Sequence, residues 1–166
     1  AGVKSLTKDQ LISIFTGKKT NWKEVGGPDE DIVLVTRPGS SGTRATFQKY
    51  ALDGNEEASN ASMETDDSGV LLTNVKDTKG AIGYVALSYL TGDAGVETVA
   101  IDGVEPTLEN TYSGEYPVWT FEHMYTKGEP NEVVSAFLDY ITGDKYGSQM
   151  EKPGYGVSSK MTKTEH

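Results

Sequence analysis

The chain has 166 residues, of which 36% are hydrophobic and 24% are charged, a composition that is ordinary for one globular domain. No uninterrupted apolar stretch approaches the roughly 20 residues that cross a bilayer, so no membrane-spanning segment is predicted. The net charge of −10 argues against nucleic acid as a partner, and the absence of cysteine excludes disulfides and thiol chemistry.

The charges are unevenly distributed along the chain. The first 50 residues carry 8 basic and 5 acidic side chains, whereas the remainder carries 7 and 20. An anion site is therefore expected in the first third, although chance variation of the surface would produce the same asymmetry. The stretch 51–75 has no lysine or arginine and predicts a solvated acidic surface, because its carboxylates lack the spacing of a calcium loop.

Both ends of the chain suggest a processed or excised polypeptide. It begins Ala1-Gly2-Val3 without methionine or a leader, which favours a mature product or a fragment. The terminal Glu165-His166 is expected to be the remnant of a purification tag.

The N-terminal third predicts a helix followed by a strand. Thr7 and Gln10 have the spacing of a capping box, so a short amphipathic helix is expected over residues 8–16. Trp22, in a turn region, is expected to anchor packing rather than bind a ligand. The β-branched run 32–36 predicts a buried central strand.

The rest of the chain continues this alternation. A helix is predicted over 43–52, with Ala45 facing the core and Arg44 solvated. Further helices are predicted over 68–75, 107–112, 131–141 and 144–152, and extended segments over 80–85, 96–101 and 118–125. The fold class is therefore α/β, with a mixed but mostly parallel sheet flanked by helices.

The segment Arg37-Pro38-Gly39-Ser40-Ser41-Gly42-Thr43 joins the predicted central strand to the next helix. Backbone N–H groups in a first helical turn lack intrahelical partners, and open α/β sheets bind ligands beyond the carboxyl ends of their strands. Ser41 and Thr43 add hydroxyl donors, and Gly42 allows close approach of the backbone. Arg37 supplies a planar fork that suits a tetrahedral oxyanion. These residues predict an oxyanion site.

Two other interpretations of the segment stay open. In the first, Ser41 only caps the helix and Arg37 pairs with a nearby carboxylate. In the second, Ser41, His123 and Asp66 form a hydrolytic triad, although His123 in an extended run favours a packed imidazole. A Walker loop and a nucleophile elbow are both excluded, because the Gly-Lys-Ser/Thr ending and the G-x-S-x-G pattern are missing.

Four blocks of sequence carry a family resemblance over nearly the whole chain. They are Leu6-Thr7-Lys8-Asp9-Gln10-Leu11 with Ile14 to Gly17 and Asn21-Trp22; Arg37 to Thr43 with Phe47; Gly80 to Val85; and Ala136 to Ile141 with Gly147, Gln149 and Gly154-Tyr155. Together they resemble the PstS family, the substrate-binding proteins of phosphate ABC transporters.

The resemblance implies a two-lobed periplasmic-binding-protein-like fold that captures inorganic phosphate outside the cytoplasm, in the periplasm or as a cell-surface lipoprotein. It implies delivery to a membrane permease, no enzymatic activity and no cofactor. Phosphate contacts are implied for Arg37, Ser41, Gly42 and Thr43. Gly39 departs from the pattern, because some relatives carry an acidic residue there that braces the arginine. Binding of another oxyanion, such as sulfate or molybdate, or an adhesion or sensor role, is the alternative.

The resemblance also implies that one segment of the family's fold is missing from this chain. Family members begin with an N-terminal segment that has no counterpart here and supplies further donors and a buried Asp selective for protonated phosphate. Residues 6–116 are then expected to form the second lobe, and residues 117–160 a crossover strand and helices of the first. Their apolar stripe should pack on the sheet in a new place or against a second copy, as a homodimer. It comprises Val134, Phe137, Leu138 and Ile141.

Overall fold

The computed structural model describes residues 2–59 and 63–165, and within them short parallel strands alternate with helices. The strands are β1 (Ser5–Leu6), β2 (Val33–Thr36), β3 (Met63–Glu64), β4 (Ala81–Ile82) and β5 (Ala100–Ile101). The α-helices are α1 (Lys8–Phe15), α2 (Gly42–Tyr50), α3 (Ser68–Asp77), α4 (Leu108–Ser113), α5 (Glu132–Thr142) and α6 (Asp144–Met150). Short 3₁₀ helices span Trp22–Val25, Leu87–Leu90 and Ser158–Lys160. Residues 60–62 of the predicted acidic stretch, and both Ala1 and His166 at the termini, lie outside the described residues.

Strand β2 is the centre of a three-stranded parallel sheet. It pairs with β3 on one side, where Val35 lies opposite Met63, and with β4 on the other, where Leu34 lies opposite Ile82. A second parallel pair joins β1 to β5. Because the strands of the larger sheet are parallel, the carboxyl ends of β2, β3 and β4 lie at one edge. The predicted α/β class and the central place of β2 are confirmed.

An aromatic cluster holds α1, α2 and the segment after β4 together. The rings of Phe47 and Tyr84 are stacked with centroids 4.2 Å apart, and Phe15 meets Phe47 edge-on at 4.8 Å. Trp22 is 2% exposed, and its indole N–H donates to the carbonyl oxygen of Gly80 at 2.9 Å. Its predicted role as a packing anchor is confirmed. The cluster fixes the start of α2 relative to the sheet.

Helix α1 begins with the predicted capping box. The hydroxyl oxygen of Thr7 accepts from the backbone N–H of Gln10 at 3.2 Å, and the Gln10 side chain accepts from the N–H of Thr7 at 2.9 Å. Its buried residues are Leu11, Ile14 and Phe15. Their helical spacing places them on one face, which packs into the core.

Three predicted extended segments are shorter or irregular in the structure. Only Ala81–Ile82 of 80–85 and only Ala100–Ile101 of 96–101 pair as strands. In the described chain, residues 118–125 form no ladder. A strand requires a hydrogen-bonded neighbour, and β propensity along the chain does not supply one.

The C-terminal helices leave an apolar face open. Asn131 caps α5 as predicted, yet none of the residues of α5 is buried. Val133 is 78% exposed and Phe137 is 54% exposed. Of the stripe itself, Val134, Leu138 and Ile141 are half-buried and α5 packs against α6. Packing of the stripe on the sheet or against a second copy stays a prediction.

The tail after α6 returns to α4. The hydroxyl of Tyr112 donates to Oε1 of Glu151 at 2.8 Å and accepts from the N–H of Val157 at 2.9 Å. The N–H of Thr162 donates to the carbonyl oxygen of Tyr112 at 2.9 Å. Tyr112 therefore ties the C-terminal segment to the part of the chain that carries the sheet. In the described ranges, no helix is both long and apolar enough to cross a bilayer.

Candidate anion-binding site

The anion loop, residues 37–43, leads from the carboxyl end of β2 into α2. Helix α2 begins at Gly42, one residue before the predicted start, and Ser41 is its N-cap. The backbone N–H of Ser41 donates to the carbonyl oxygen of Pro38 at 2.9 Å, which closes a turn. The backbone of the loop is thus shaped by its own hydrogen bonds.

Two backbone donors at the start of α2 remain available. The N–H of Arg44 donates to Oγ of Ser41 at 3.3 Å, and that of Ala45 to the carbonyl oxygen of Ser41 at 3.0 Å. The N–H groups of Gly42 and Thr43 have no acceptor among the described residues. Gly42 is exposed, and a Cβ placed on it meets nothing within 4 Å. Free amides at the positive end of a helix dipole beside open space suit an anion.

The hydroxyls of the loop combine capping with spare donor capacity. Because Oγ of Ser41 accepts from Arg44, the predicted structural role of Ser41 as a helix cap is confirmed. A hydroxyl that accepts still has its proton to donate. The partly buried Thr43 hydroxyl makes no hydrogen bond within the described residues. Both hydroxyls can therefore donate to an anion.

Arg37 is 7% exposed and braced by the segment between β3 and α3. Its Nη1 donates to Oγ of Ser68 and its Nη2 to the carbonyl oxygen of Asp66, each at 2.7 Å. The Asp66 carboxylate, 78% exposed, lies 3.5 Å from Nη2, so this ion pair is screened by solvent. Of the five N–H donors of a guanidinium, the buried Nε–H and one on Nη1 have no partner in the described chain.

The two arginines near α2 differ in charge compensation. Nε of Arg44 lies 3.4 Å from the buried Glu57 carboxylate, and Nη1 lies 3.8 Å from Glu64. The expectation that Arg44 is solvated and Ala45 faces the core is wrong, because the Arg44 side chain is 17% exposed and Ala45 is exposed. Among the described residues Arg37 pairs only with the exposed Asp66 carboxylate, so it carries the less compensated positive charge.

Glu57 and Tyr84 support the loop from its buried side. The Tyr84 hydroxyl accepts from the backbone N–H of Arg37 at 3.2 Å. Burial raises the pKa of Glu57, while the Tyr84 hydroxyl and the Arg44 charge oppose this rise. Burial, followed by the proximity of Glu57, raises the pKa of Tyr84 far above its ordinary value, so its hydroxyl stays protonated.

Sequence reasoning missed Glu57 and Tyr84 as residues of the site. Glu57 belongs to the stretch 51–75, where no local pattern separates one buried carboxylate from its exposed neighbours. Tyr84 lies in the predicted extended segment 80–85, and nothing in that pattern indicates a contact with the anion loop.

The structure does not assemble the alternative triad. His123 is exposed in an irregular segment, where its nearest aromatic contact is Tyr125, with ring centroids 6.2 Å apart. No hydrogen bond within residues 2–59 and 63–165 joins His123 to Ser41 or Asp66. The three residues therefore have no geometry for nucleophilic catalysis.

The anion loop lies on an open surface. Cavities of about 350 and 250 Å³ lie elsewhere, the first beside Lys4 and Glu97 and the second beside Lys8 and Trp119. Neither is lined by residues 37–43. The anion loop combines free backbone donors with a buried guanidinium, and this combination defines a ligand chemistry. In the described acidic stretch, no cluster of side chains could hold a metal ion.

Comparison with known proteins gives consistent matches. Residues 1–145 match the family model of the PBP superfamily domain. A Bacillus subtilis protein named phosphate-binding protein PstS is 54% identical over 144 residues, which cover 87% of this chain and 47% of that protein.

Solved structures show the same fold. One from Clostridium perfringens, described as a candidate phosphate ABC transporter substrate-binding protein with bound phosphate, has a TM-score of 0.83 at 37% identity and covers 92% of this chain. A Vibrio cholerae ABC-type phosphate transport receptor has a TM-score of 0.73 at 25% identity and covers 93%. This chain covers 63% and 64% of those two chains.

The chain spans about half the length of the curated relatives it matches. Within that span the agreement extends from sequence identity to the fold, and the family model covers most of the chain. The chain therefore belongs to the PBP superfamily and, within it, is similar to proteins named PstS over the span that it covers.

Proposed function

We propose that this chain forms part of the inorganic phosphate site of an extracytoplasmic solute-binding protein, which delivers phosphate to the membrane permease of an ABC transporter. The observation that carries the proposal is the start of α2, where the free N–H groups of Gly42 and Thr43 follow the buried Arg37. The name of the Bacillus subtilis relative and the phosphate bound in the Clostridium perfringens structure support this ligand.

The proposed mechanism is reversible capture without bond chemistry. Donors from Arg37, Ser41, Gly42 and Thr43 replace the water around the anion. Hydrogen bonds to a charged partner are about twice as strong as neutral ones, so a few such donors suffice for recognition. The turn at Pro38 and the Ser41 cap already shape the loop, which lowers the ordering cost of binding.

Selectivity is assigned to the rest of the protein. Sulfate presents the same tetrahedral oxygens to these donors as phosphate does, and donors alone do not distinguish them. A carboxylate that accepts the proton of phosphate would reject fully ionised sulfate, because two acceptors would then face each other. We place that acceptor in the lobe outside this chain.

We also propose the division of the chain between two lobes. Residues 6–116 contain both described sheets apart from Ser5 of β1, and we assign them to the second lobe. Residues 117–160 would return to the first lobe, and the unburied apolar stripe of α5 supports this assignment. A homodimer through α5 is the alternative, and light scattering separates it from a monomer.

The test is a phosphate titration of the 166-residue chain beside a version with its N-terminal lobe restored, with sulfate as competitor. We expect the amide resonances of Gly42 and Thr43 to shift in both proteins, with much tighter binding in the restored one. Sulfate should compete with phosphate in the short chain and fail to compete in the restored protein. Resonance shifts confined to residues outside the anion loop would contradict the proposal.

A further inference from the structure

We infer that Glu57 is a positioning residue for the anion loop: acting through Arg44, it holds the backbone of Arg37 and thereby sets the geometry in which the loop meets phosphate. The predicted effect on affinity rests on the proposed function. The predicted effect on the Arg37 backbone does not, and it is measured without ligand.

Two side chains, one beyond β4 and one in α2, form hydrogen bonds with the backbone of Arg37. The Tyr84 hydroxyl, beyond β4, accepts from its N–H at 3.2 Å. Nη1 of Arg44, in α2, donates to its carbonyl oxygen at 2.6 Å. A hydrogen bond from a guanidinium is charge-assisted and therefore among the stronger kinds. The direction in which the chain leaves β2 thus depends on Arg44 and Tyr84.

Glu57 keeps Arg44 in place. Its side chain is 1% exposed and lies 3.4 Å from Nε of Arg44. Neither carboxylate oxygen accepts a hydrogen bond of good geometry within the described residues. A buried carboxylate is unfavourable, and the nearby Tyr84 hydroxyl and the charge of Arg44 are the interactions that offset the burial of Glu57. The other acidic partner, Glu64, is 3.8 Å away and 58% exposed, so its attraction is screened.

Charged and polar side chains face Glu57 from each of the segments packed around it. Arg44 approaches from α2, Tyr84 from beyond β4, Glu64 from β3 and Glu56 from its own segment. Stacking on Phe47 fixes the Tyr84 ring. The network therefore joins the two neighbours of β2 to the anion loop between them.

At acid pH, the contacts that position the anion loop should weaken, whereas the contribution of Glu57 to the free energy of unfolding should increase. Burial raises the pKa of Glu57 above 4.5. As pH falls through this raised pKa, Glu57 loses its charge and Arg44 loses its buried partner, so affinity falls. The stability contribution of Glu57 has the opposite sign: it is fully present below 4.5 and is lost as pH rises through the raised pKa. If Glu57 acted only through stability, phosphate affinity and the free energy of unfolding would change in the same direction as the pH falls.

The experiment compares Glu57→Gln with Glu129→Gln, the same change at an exposed glutamate outside this network. Phosphate affinity is measured by amide titration from pH 4.5 to 7.5, and hydrogen exchange of the Arg37 N–H is measured without phosphate. We expect Glu57→Gln to weaken binding about tenfold at neutral pH, as removal of an orienting partner does at metal sites. The difference from the unmodified chain should vanish towards pH 4.5, while Glu129→Gln matches the unmodified chain throughout.

Hydrogen exchange separates this inference from the proposed function. We expect the Arg37 N–H to exchange faster in Glu57→Gln by more than the change in global stability. Faster exchange in a chain that does not bind phosphate would overturn the proposed function and keep the positioning role. Unchanged exchange and affinity, or a difference that does not vary with pH, would overturn the positioning role.

Two further variants keep the test decisive if Glu57→Gln does not fold. Tyr84→Phe removes the hydroxyl that accepts from Arg37 and lies beside Glu57 while it keeps the stacking on Phe47, so the same loss of protection and affinity is expected. The double variant Arg44→Gln with Glu57→Gln should weaken binding less than the sum of the single changes, because both belong to one network. Additive effects would contradict that coupling.

Discussion

Arg37 combines the features that charge recognition needs at the residue scale. Its guanidinium is buried, so its field is screened less than that of a surface lysine. Ser68 and the Asp66 carbonyl hold the side chain in one orientation, which reduces the entropy lost on binding. Arg44, in the first turn of α2, is instead paired with the buried Glu57 and, more weakly, with the exposed Glu64. The two arginines near the start of α2 therefore have different roles.

Replacing Arg37 by alanine should weaken phosphate binding in the complete protein by about 1.5 to 3 kcal/mol, the range for hydrogen bonds to a charged group. Calorimetric titration measures the change. Lys18→Ala is the matched control, since it removes the same charge from an exposed position. An affinity in Arg37→Ala equal to that of the control would remove Arg37 from the site.

Gly42→Ala separates folding from ligand approach. A Cβ at Gly42 meets nothing within 4 Å and its φ is not positive, so the variant should fold normally. Alanine is the better helix former by up to about 1 kcal/mol, so stability should be unchanged or slightly higher. Phosphate binding should weaken, because the methyl group occupies space beside the free amides. Gly39→Ala, equally open, is the control, and equal affinity in both variants would contradict close approach at Gly42.

Helix α2 contributes to the site as an element, through its first turn. Its cap resembles that of α1, since Ser41 and Thr7 each accept from a backbone N–H, at 3.3 and 3.2 Å. The two caps have the same structural role, but only that of α2 lies at the carboxyl end of β2. Comparing the two caps therefore separates the contribution of the Ser41 hydroxyl to stability from its contribution to phosphate binding.

Ser41→Ala and Thr7→Ala should each lower the free energy of unfolding by about 1 kcal/mol, the usual effect of losing a cap. Only Ser41→Ala should also weaken phosphate binding, because we propose that this hydroxyl donates to the anion in addition to capping the helix. Denaturant unfolding and titration of both variants measure the two quantities. Equal loss of affinity in Thr7→Ala would show that stability, and not contact, governs binding.

The whole molecule combines a packed region around β2 with a helix whose apolar face is open. Phe47 is 8% exposed in the core, whereas Phe137 is 54% exposed on α5. Large exposed apolar patches usually mark an interface, so a face of this kind is expected to be covered in the complete protein.

Phe137→Ser should change the stability of the 166-residue chain by less than about 0.5 kcal/mol, as substitutions at exposed positions do. It should clearly destabilise the version with its N-terminal lobe restored. Thermal unfolding of both proteins tests this, with Phe47→Ser as a core substitution that destabilises both. Equal destabilisation by Phe137→Ser in the two proteins would contradict the assignment of α5 to the other lobe. Light scattering on the short chain tests the homodimer.

Much of the molecule follows from interactions between residues close in sequence. Thr7 and Gln10 form a capping box because both groups lie within one turn, and Asn131 caps α5 for the same reason. The buried run of β2 followed by the 37–43 loop places free helix amides at the end of a strand, whatever surrounds them. The α/β class, the caps and the chemistry of the anion loop were therefore predictable.

Only the tertiary structure decided which charges are paired and which faces are covered. The contacts that hold Arg37 join residues 31 and 47 positions apart, to Ser68 and Tyr84. The burial of Glu57 against Arg44, the irregular course of 118–125 and the open face of α5 also depend on distant neighbours. Sequence by itself determined the local hydrogen bonds and the periodic patterns, because these are set within a few residues. Compensation of charge and burial of surface required the folded chain, since both depend on what lies across space.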